Sequence, residues 1–267
     1  MNATAIILAG KREGRLDPLA AEAGVDSKAL VPIAGEPLIR HVLRAVLGSR
    51  QVGEVRVVGH GPDLLRTGLQ DLAPPAGHRV SFVPAATNLV DSVLVGAAGA
   101  SFPLLITTAD NVLLTPAAIN AFIAGASGQA PAGAAAAMVR KDAVLAAHPT
   151  GQRKFYRFTD GEFSNCNLYW IGHAHALAAA ESFRSGGQFV KYPLRIAQAF
   201  GIGNLIRFGL GLGSAQGFFD RLSRRFGFPL SLIEMSDGAC AIDVDNQRSF
   251  AIASELLERR SVRPIAA

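Results

Sequence analysis

The amino-acid sequence predicts an α/β protein with a mostly parallel sheet and helices on both faces, on the strength of three observations. Short apolar runs alternate with segments of helical period through the first half of the chain. Such alternation is the pattern of strand-helix-strand crossovers, whose strands are buried under helices on both sides. The 267 residues are 49% hydrophobic and 18% charged, enough for one sizeable core and too apolar for a disordered chain. The 28 glycines and many alanines suit close packing and frequent turns.

The run TAIILA, Thr4 to Ala9, reads as the first buried strand, and a helix is expected from Pro37 to about Leu47. The strands EVRVVG and RVSFVP follow, then a helix from about Asn88 to Ala98 and a strand within PLLITTAD, which ends at Asp110. Thr115 and Pro116 supply an N-cap and a first-turn proline for the next helix, before a strand in GAAAAMVRK. From Arg153 the texture changes. RKFYRFTDGEFSNCNLYWIG places two strand-like pieces around the turn signal Thr159-Asp160-Gly161, a hairpin added to the sheet. A helical region is expected from His173 to about Phe226, then the strand LSLIEM, then ACAIDVD leading into a final helix from about Asn246 to Arg259. The expected organisation is a single domain of two halves, 1–150 and 151–267, with the helical insertion at about 173–226.

The formal charge of +5 favours an anionic partner, whether phosphate, nucleic acid or lipid headgroup. The two cysteines, Cys166 and Cys240, fit no metal or disulfide spacing and read as reduced core residues. With no secretory leader pattern at the N-terminus, they point to a cytoplasmic protein. The weakly polar stretch AFGIGNLIRFGLGLGSAQGFF is broken by Arg207 and by glycines, whereas a spanning helix needs about twenty apolar residues. No transmembrane segment is expected there; the stretch reads as a packing or interface helix, with a homodimer contact and a membrane-surface contact as its alternatives.

Four places carry candidate chemistry. LAGKREGRLDPL, Leu8 to Leu19, is a glycine-bearing strand exit with Lys11, Arg12 and Arg15, which suits backbone and cation contacts to phosphate or equally a solvated loop. It has neither the P-loop ending nor the dinucleotide-binding glycine spacing. Lys28 lies in a second loop, before the helix start Gly35-Glu36-Pro37. Asp110 stands at a strand end, and since Thr115 already caps the following helix, a metal or phosphate role is open to it. Asp243 and Asp245 alternate with Ile242 and Val244, so an extended segment puts both carboxylates on one face. Asp245 or Asn246 can cap the last helix, which leaves Asp243 for a hard cation such as Mg²⁺. His173 and His175 read as a helix start or surface pair.

Together, LAGKREGRLDPL followed by SKALVPIAGEPLI, TTADN and AIDVD resemble the nucleotidyltransferases of the MobA-like and cytidylyltransferase type, with a Rossmann-like mixed sheet. Their opening signature runs Leu-Ala-Gly-Gly-x-Gly-x-Arg, with a lysine before a Gly-Lys-Pro-like helix start; this chain has Lys11 in place of the second glycine. The resemblance implies that Leu8, Ala9 and Gly10 line the nucleotide, with Lys11 and Gly14 in the same loop. It implies that Arg15 and Lys28 act on the phosphates and that Asp110 and Asp243 hold Mg²⁺. NLVDSVLVGAAG is similar to a helix start that contacts base and ribose in the cytidylyltransferase branch, which places Asn88, Asp91 and Ser92 at the nucleotide and CTP ahead of GTP or UTP. On physical grounds the same three residues serve equally as a helix N-terminus.

The resemblance implies that the family's hairpin, with Asn165 and Asn167, borders the acceptor; Lys154, Arg157 and Lys191 add cations that serve either solvent or that acceptor. RKFYRF is basic and aromatic, yet in a strand its alternate residues face opposite ways, so nucleic acid is not the expected partner. Clustered cations favour a small phosphomonoester carrying further negative charge, such as a phosphoglycerate-like acid, over phosphocholine; a polyol or alcohol phosphate, including a lipid headgroup precursor, stays open. The implied activity joins CMP from CTP to such a phosphate with release of pyrophosphate. Guanylyl or uridylyl transfer to a sugar phosphate or molybdopterin-type cofactor is the alternative, and a non-catalytic nucleotide-binding protein is the third.

Overall fold

A computed structural model describes residues 2–10, 16–59, 69, 75–177 and 200–262. β1 (Ala3–Ala9) is followed by α1 (Pro18–Glu22), the short antiparallel pair β2 (Pro32–Ile33) and β3 (Glu36–Pro37), and α2 (Leu38–Leu47). β4 (Val52–Gly59), β5 (Arg79–Pro84), α3 (Leu89–Ala97), β6 (Leu104–Thr108), α4 (Pro116–Gln129) and β7 (Ala134–Arg140) complete the first half. Then come α5 (Lys141–Ala147), β8 (Tyr156–Phe158), β9 (Gly161–Ile171), α6 (Ile202–Gly209), α7 (Ala215–Phe226), β10 (Leu230–Met235) and α8 (Gln247–Val262). Eight strands form one mixed, mainly parallel sheet in the order β10-β7-β9-β6-β1-β4-β5, with β8 paired to β9. The expected α/β class is the observed one.

Burial explains the layers. In β1, Ala5, Ile6 and Ile7 are fully buried, and they alternate between the sheet's faces. Ala5 and Ile7 join the core under α2, α4 and α8, with Leu38, Ile119, Phe122 and Ile252. Ile6 joins a second core under α3 and α7, with Val93, Phe218 and Leu222. Thr115 caps α4 by accepting from the Ala118 N–H at 3.1 Å, with Pro116 in its first turn, as its sequence predicts. Among the described residues no helix is long and apolar enough to cross a membrane.

The hairpin forms as expected, β8 against β9, and its second strand lies inside the sheet, antiparallel between β6 and β7, where Phe163, Leu168 and Trp170 are buried. Two elements depart from expectation. The helical region after His173 is broken: Ala174–Leu177 is a 3-10 turn, and α6 and α7 are separated by Gly211 and Gly213 at φ of 66° and 94°, with residues 178–199 outside the described set. ACAIDVD is not extended throughout. Gly238–Ala241 forms a 3-10 turn started by Asp237, whose carboxylate accepts from the Ala239 N–H at 3.0 Å.

Gly238 makes that turn possible, because a Cβ there would lie 2.0 Å from the Ala143 carbonyl oxygen of α5. Gly238→Ala should therefore destabilise the protein by about 1–3 kcal/mol through overpacking. A urea midpoint unchanged from wild type would refute this account of the close approach.

Candidate active site

The carboxyl ends of β1 and β6 set the site's floor. The ladder runs past the end of β6, with the Ala109 N–H donating to the Leu8 carbonyl at 2.9 Å, so Asp110 emerges on a fixed backbone beside Leu8, Ala9 and Gly10. The Val244 N–H donates to the Asp110 carbonyl at 3.0 Å, which ties the segment after the 3-10 turn to the same strand end. The Asp245 N–H donates to the Asp243 carbonyl at 3.1 Å, so a tight turn rather than strand alternation aims both carboxylates one way. Capping falls to Asn246, whose Oδ1 accepts from Arg248 and Ser249 N–H groups at 3.1 and 3.2 Å. Asp245 is thereby free to face the site.

One oxygen from each of Asp110, Asp243 and Asp245 lies within 4.8 Å of the others, and among the described residues no other group of three His, Cys, Asp or Glu converges this way. Lys28, from the 3-10 turn Lys28–Leu30, places its Nζ 2.6 Å from Asp110 Oδ2 and 3.3 Å from Asp245 Oδ1. Burial acts to lower the Lys28 pKa, but Asp110 and then Asp245 outweigh it and hold the ammonium above its ordinary value. Asp243 responds oppositely. Burial, then the charges of Asp110 and Asp245, push its carboxyl up to about 7.

Behind Asp243 stands a polar support. Asn167 Nδ2 donates to Asp243 Oδ2 at 2.9 Å, and Gln152 Nε2 donates to the Ala241 carbonyl at 2.8 Å and to Asp243 Oδ1 at a longer 3.5 Å. Asn167 is held at φ 47°, in a β9 bulge where the register against β7 shifts between Ala136 and Met138. Asparagine tolerates this left-handed conformation better than most residues, and a bulge re-aims a side chain next to a site. Asn165 Nδ2 donates to Asn167 Oδ1 at 3.0 Å and to the Tyr169 hydroxyl at 2.5 Å. Burial pushes the Tyr169 phenol up to about 12, so it stays protonated and available to the network.

The structure thus brings Lys28, Asp110, Asp243, Asn165 and Asn167 together and adds Asp245, Gln152 and Tyr169. The alternation of Asn165, Asn167 and Tyr169 along one strand face was a usable signal for Tyr169; nothing local marks Gln152. Asn88, Asp91 and Ser92 form a helix start: Asn88 Oδ1 accepts from the Asp91 N–H at 3.0 Å, and Ser92 Oγ donates to the Asn88 carbonyl at 2.8 Å. Lys154 is exposed, and Arg157 leans on Glu162 at 3.5 Å, which also takes Lys141 at 2.6 Å, so neither is bonded to the carboxylate cluster. Lys11, Gly14, Arg15 and Lys191 lie outside the described residues. His173 and His175 bond each other, at 3.0 Å, among Phe102 and Phe228 rings.

The donor set fits a hard divalent cation. It is all oxygen, and Asp110 Oδ1 is buried with no hydrogen-bond partner while Oδ2 serves Lys28. An open α/β sheet with such a cluster beyond its strand ends has it where doubly wound folds place their ligand crevice. The chain matches the MobA-like NTP transferase domain over residues 5–196 and is a member of that nucleotidyltransferase family.

Solved structures agree on the fold. A hypothetical transferase from Thermus thermophilus is 26% identical with a TM-score of 0.75, over 94% of this chain and 100% of that one. A 4-diphosphocytidyl-2C-methyl-D-erythritol synthase from Anaerococcus prevotii is 12% identical with a TM-score of 0.59, over 97% and 96%. A CMP:2-keto-3-deoxy-manno-octonic acid synthetase complexed with CTP is 16% identical with a TM-score of 0.60, over 97% and 100%. No curated protein sequence matches the chain.

The raised Asp243 pKa makes stability depend on pH. A carboxyl whose folded pKa exceeds its ordinary value binds its proton more tightly in the native state, so its contribution is full at acid pH and falls as pH rises toward about 7. In chelator, Asp243→Asn should raise the melting temperature relative to wild type at pH 8 and lose more than half of that advantage at pH 5, at roughly 2–4 °C per kcal/mol. An advantage of equal size at both pH values would refute the linkage.

Proposed function

We propose that this protein is a CTP-dependent cytidylyltransferase that joins CMP to a small phosphorylated acceptor carrying additional negative charge. The observation that carries the reading is the Lys28 and three-carboxylate cluster at the strand ends of a MobA-like family chain. Residues 1–150 serve the nucleotide and residues 151–267 the acceptor.

In the reaction an acceptor phosphate oxygen attacks the α-phosphorus of CTP. The new oxygen–phosphorus bond forms as the bond to the α–β bridging oxygen breaks, and pyrophosphate leaves with that electron pair. The chemistry needs positioning and charge neutralisation rather than a protein nucleophile. Lys28 and Arg15 stabilise negative charge on the phosphates, and Leu8, Ala9 and Gly10 let the nucleotide approach the backbone. Asp110, Asp243 and Asp245 would hold Mg²⁺, which when bound supplies Lewis-acid neutralisation of the phosphates. Asn167 and Gln152 fix the direction of Asp243, and Asn165 with Tyr169 fixes Asn167.

CTP is favoured by the Asn88, Asp91 and Ser92 helix start and agrees with the CTP-bound synthetase of the same fold. Arg157, Lys154 and Lys191 lend positive charge to the acceptor half, which suits a phosphoglycerate-like acid.

Pyrophosphate release measured with CTP, GTP, UTP and ATP against a set of phosphomonoesters tests the proposal directly. CTP with 3-phosphoglycerate should turn over fastest, and Asp110→Asn or Lys28→Gln should lower kcat about 10²–10³-fold. Turnover with GTP or UTP instead would move the nucleotide assignment. Thermal stabilisation by CTP with no turnover on any acceptor would make the protein a nucleotide binder and not an enzyme. Lys154→Gln and Lys191→Gln should raise the KM for the acceptor and leave that for CTP unchanged.

A further inference from the structure

The helix α6 has two unlike faces. Inward, Leu205 and Phe208 pack on the second core, with the Phe208 ring 5.6 and 5.7 Å from Tyr156 and Phe158 of β8 and 5.1 Å from Phe218 of α7. Outward, Ile202, Ile206 and Leu210 recur every fourth residue and so line one side of the helix, and Leu212 extends the line. Their relative exposures are 66, 56, 68 and 46%. A single exposed aliphatic residue is ordinary. Here half of the exposed large hydrophobic residues among those described gather on one short segment, which marks a contact surface.

Charge borders this stripe. Arg207 lies on α6, and Arg221 and Arg224 lie on α7. The Arg207 and Arg221 guanidinium groups converge on Gly213, within 3.7 Å of the place a Cβ would take there. Arg221 Nε donates to Asn204 at 3.0 Å, and the nearest carboxylate, Asp220, takes a bond from Gln216 at 2.9 Å. Among the described residues no ion pair neutralises Arg207, Arg221 or Arg224.

We infer that α6 and the loop to α7 form a docking surface for a bilayer that contains anionic phospholipid. Aliphatic side chains flanked by arginines match the acyl boundary and the phosphate layer of such a surface together. A second copy of the chain fits less well, since a two-fold contact through the stripe sets each arginine cluster beside its mate. The inference is independent of the nucleotide and the acceptor, because it rests on a surface separate from the carboxylate cluster.

Flotation of the full-length protein with vesicles tests it, comparing pure phosphatidylcholine with phosphatidylcholine containing one third phosphatidylglycerol. Binding is expected to the phosphatidylglycerol vesicles alone and should weaken with added salt. The Ile202→Asn, Ile206→Asn double variant should weaken it roughly tenfold or more. Arg207→Gln and Arg224→Gln should each weaken it about fivefold. Ile206→Trp should bind at least as well as wild type, since tryptophan suits the interface. These variants should keep the wild-type melting temperature and turnover of soluble substrates. Absence of binding to phosphatidylglycerol vesicles, or binding indifferent to the isoleucine changes, overturns the inference. So does a dimer in sedimentation that the isoleucine variant abolishes without any vesicle binding, which assigns the stripe to a second copy. A lowered melting temperature in that variant without vesicle binding also overturns it, by showing that the chain covers its own stripe.

Discussion

Three carboxylates held in one small volume repel one another, and the protein is built to keep them there. At about 4 Å two like charges cost roughly 1 kcal/mol in water and several times more near a protein surface. Lys28 offsets part of this by contacting Asp110 and Asp245 at once. Asp243 makes no such contact, and burial with the charges of Asp110 and Asp245 outweighs the pull of Lys28 and pushes its carboxyl up to about 7. A cation placed among the three carboxylates would relieve the repulsion that folding imposed.

What resists the repulsion is backbone. β6 is fixed on one side by β1 and on the other by β9. The fully buried Asn111, next to Asp110, donates to the Cys166 carbonyl at 2.6 Å and so pins the bulged part of β9 to the same strand end. From that bulge Asn167 reaches Asp243, while Val244 returns a main-chain bond to Asp110. Each carboxylate is thus set by backbone anchored in one shared core, the arrangement by which a site keeps its geometry under electrostatic stress.

Much of this frame is legible in the sequence because buried parallel strands declare themselves as apolar runs. TAIILA and PLLITTAD are read correctly for that reason, and Thr115 with Pro116 leaves Asp110 without a capping duty. Other features are set by contacts distant in sequence. The place of β9 inside the sheet depends on its pairing with β6 and β7, and the bulge at Asn167 has no local mark. The turn that aims Asp243 and Asp245 depends on Gly238 meeting α5, so simple alternation gives the right shared direction by the wrong geometry. Gln152 reaches the site only because the 3-10 turn presents the Ala241 carbonyl to it. The glycines at 211 and 213 break a region that helical periodicity alone joins.

The bond from Val244 to Asp110 joins positions separated by about half the chain. During synthesis the strand bearing Asp110 emerges long before the segment bearing Asp243 and Asp245, and non-local closures of this kind come late in folding. β1, β4, β5 and β6, with Lys28 and Asp110, all precede that segment in the chain, and that pair alone carries opposite charges. Mutual repulsion among the carboxylates enters only when the last segment docks. The carboxylate cluster is therefore completed by the last part of the chain to be made.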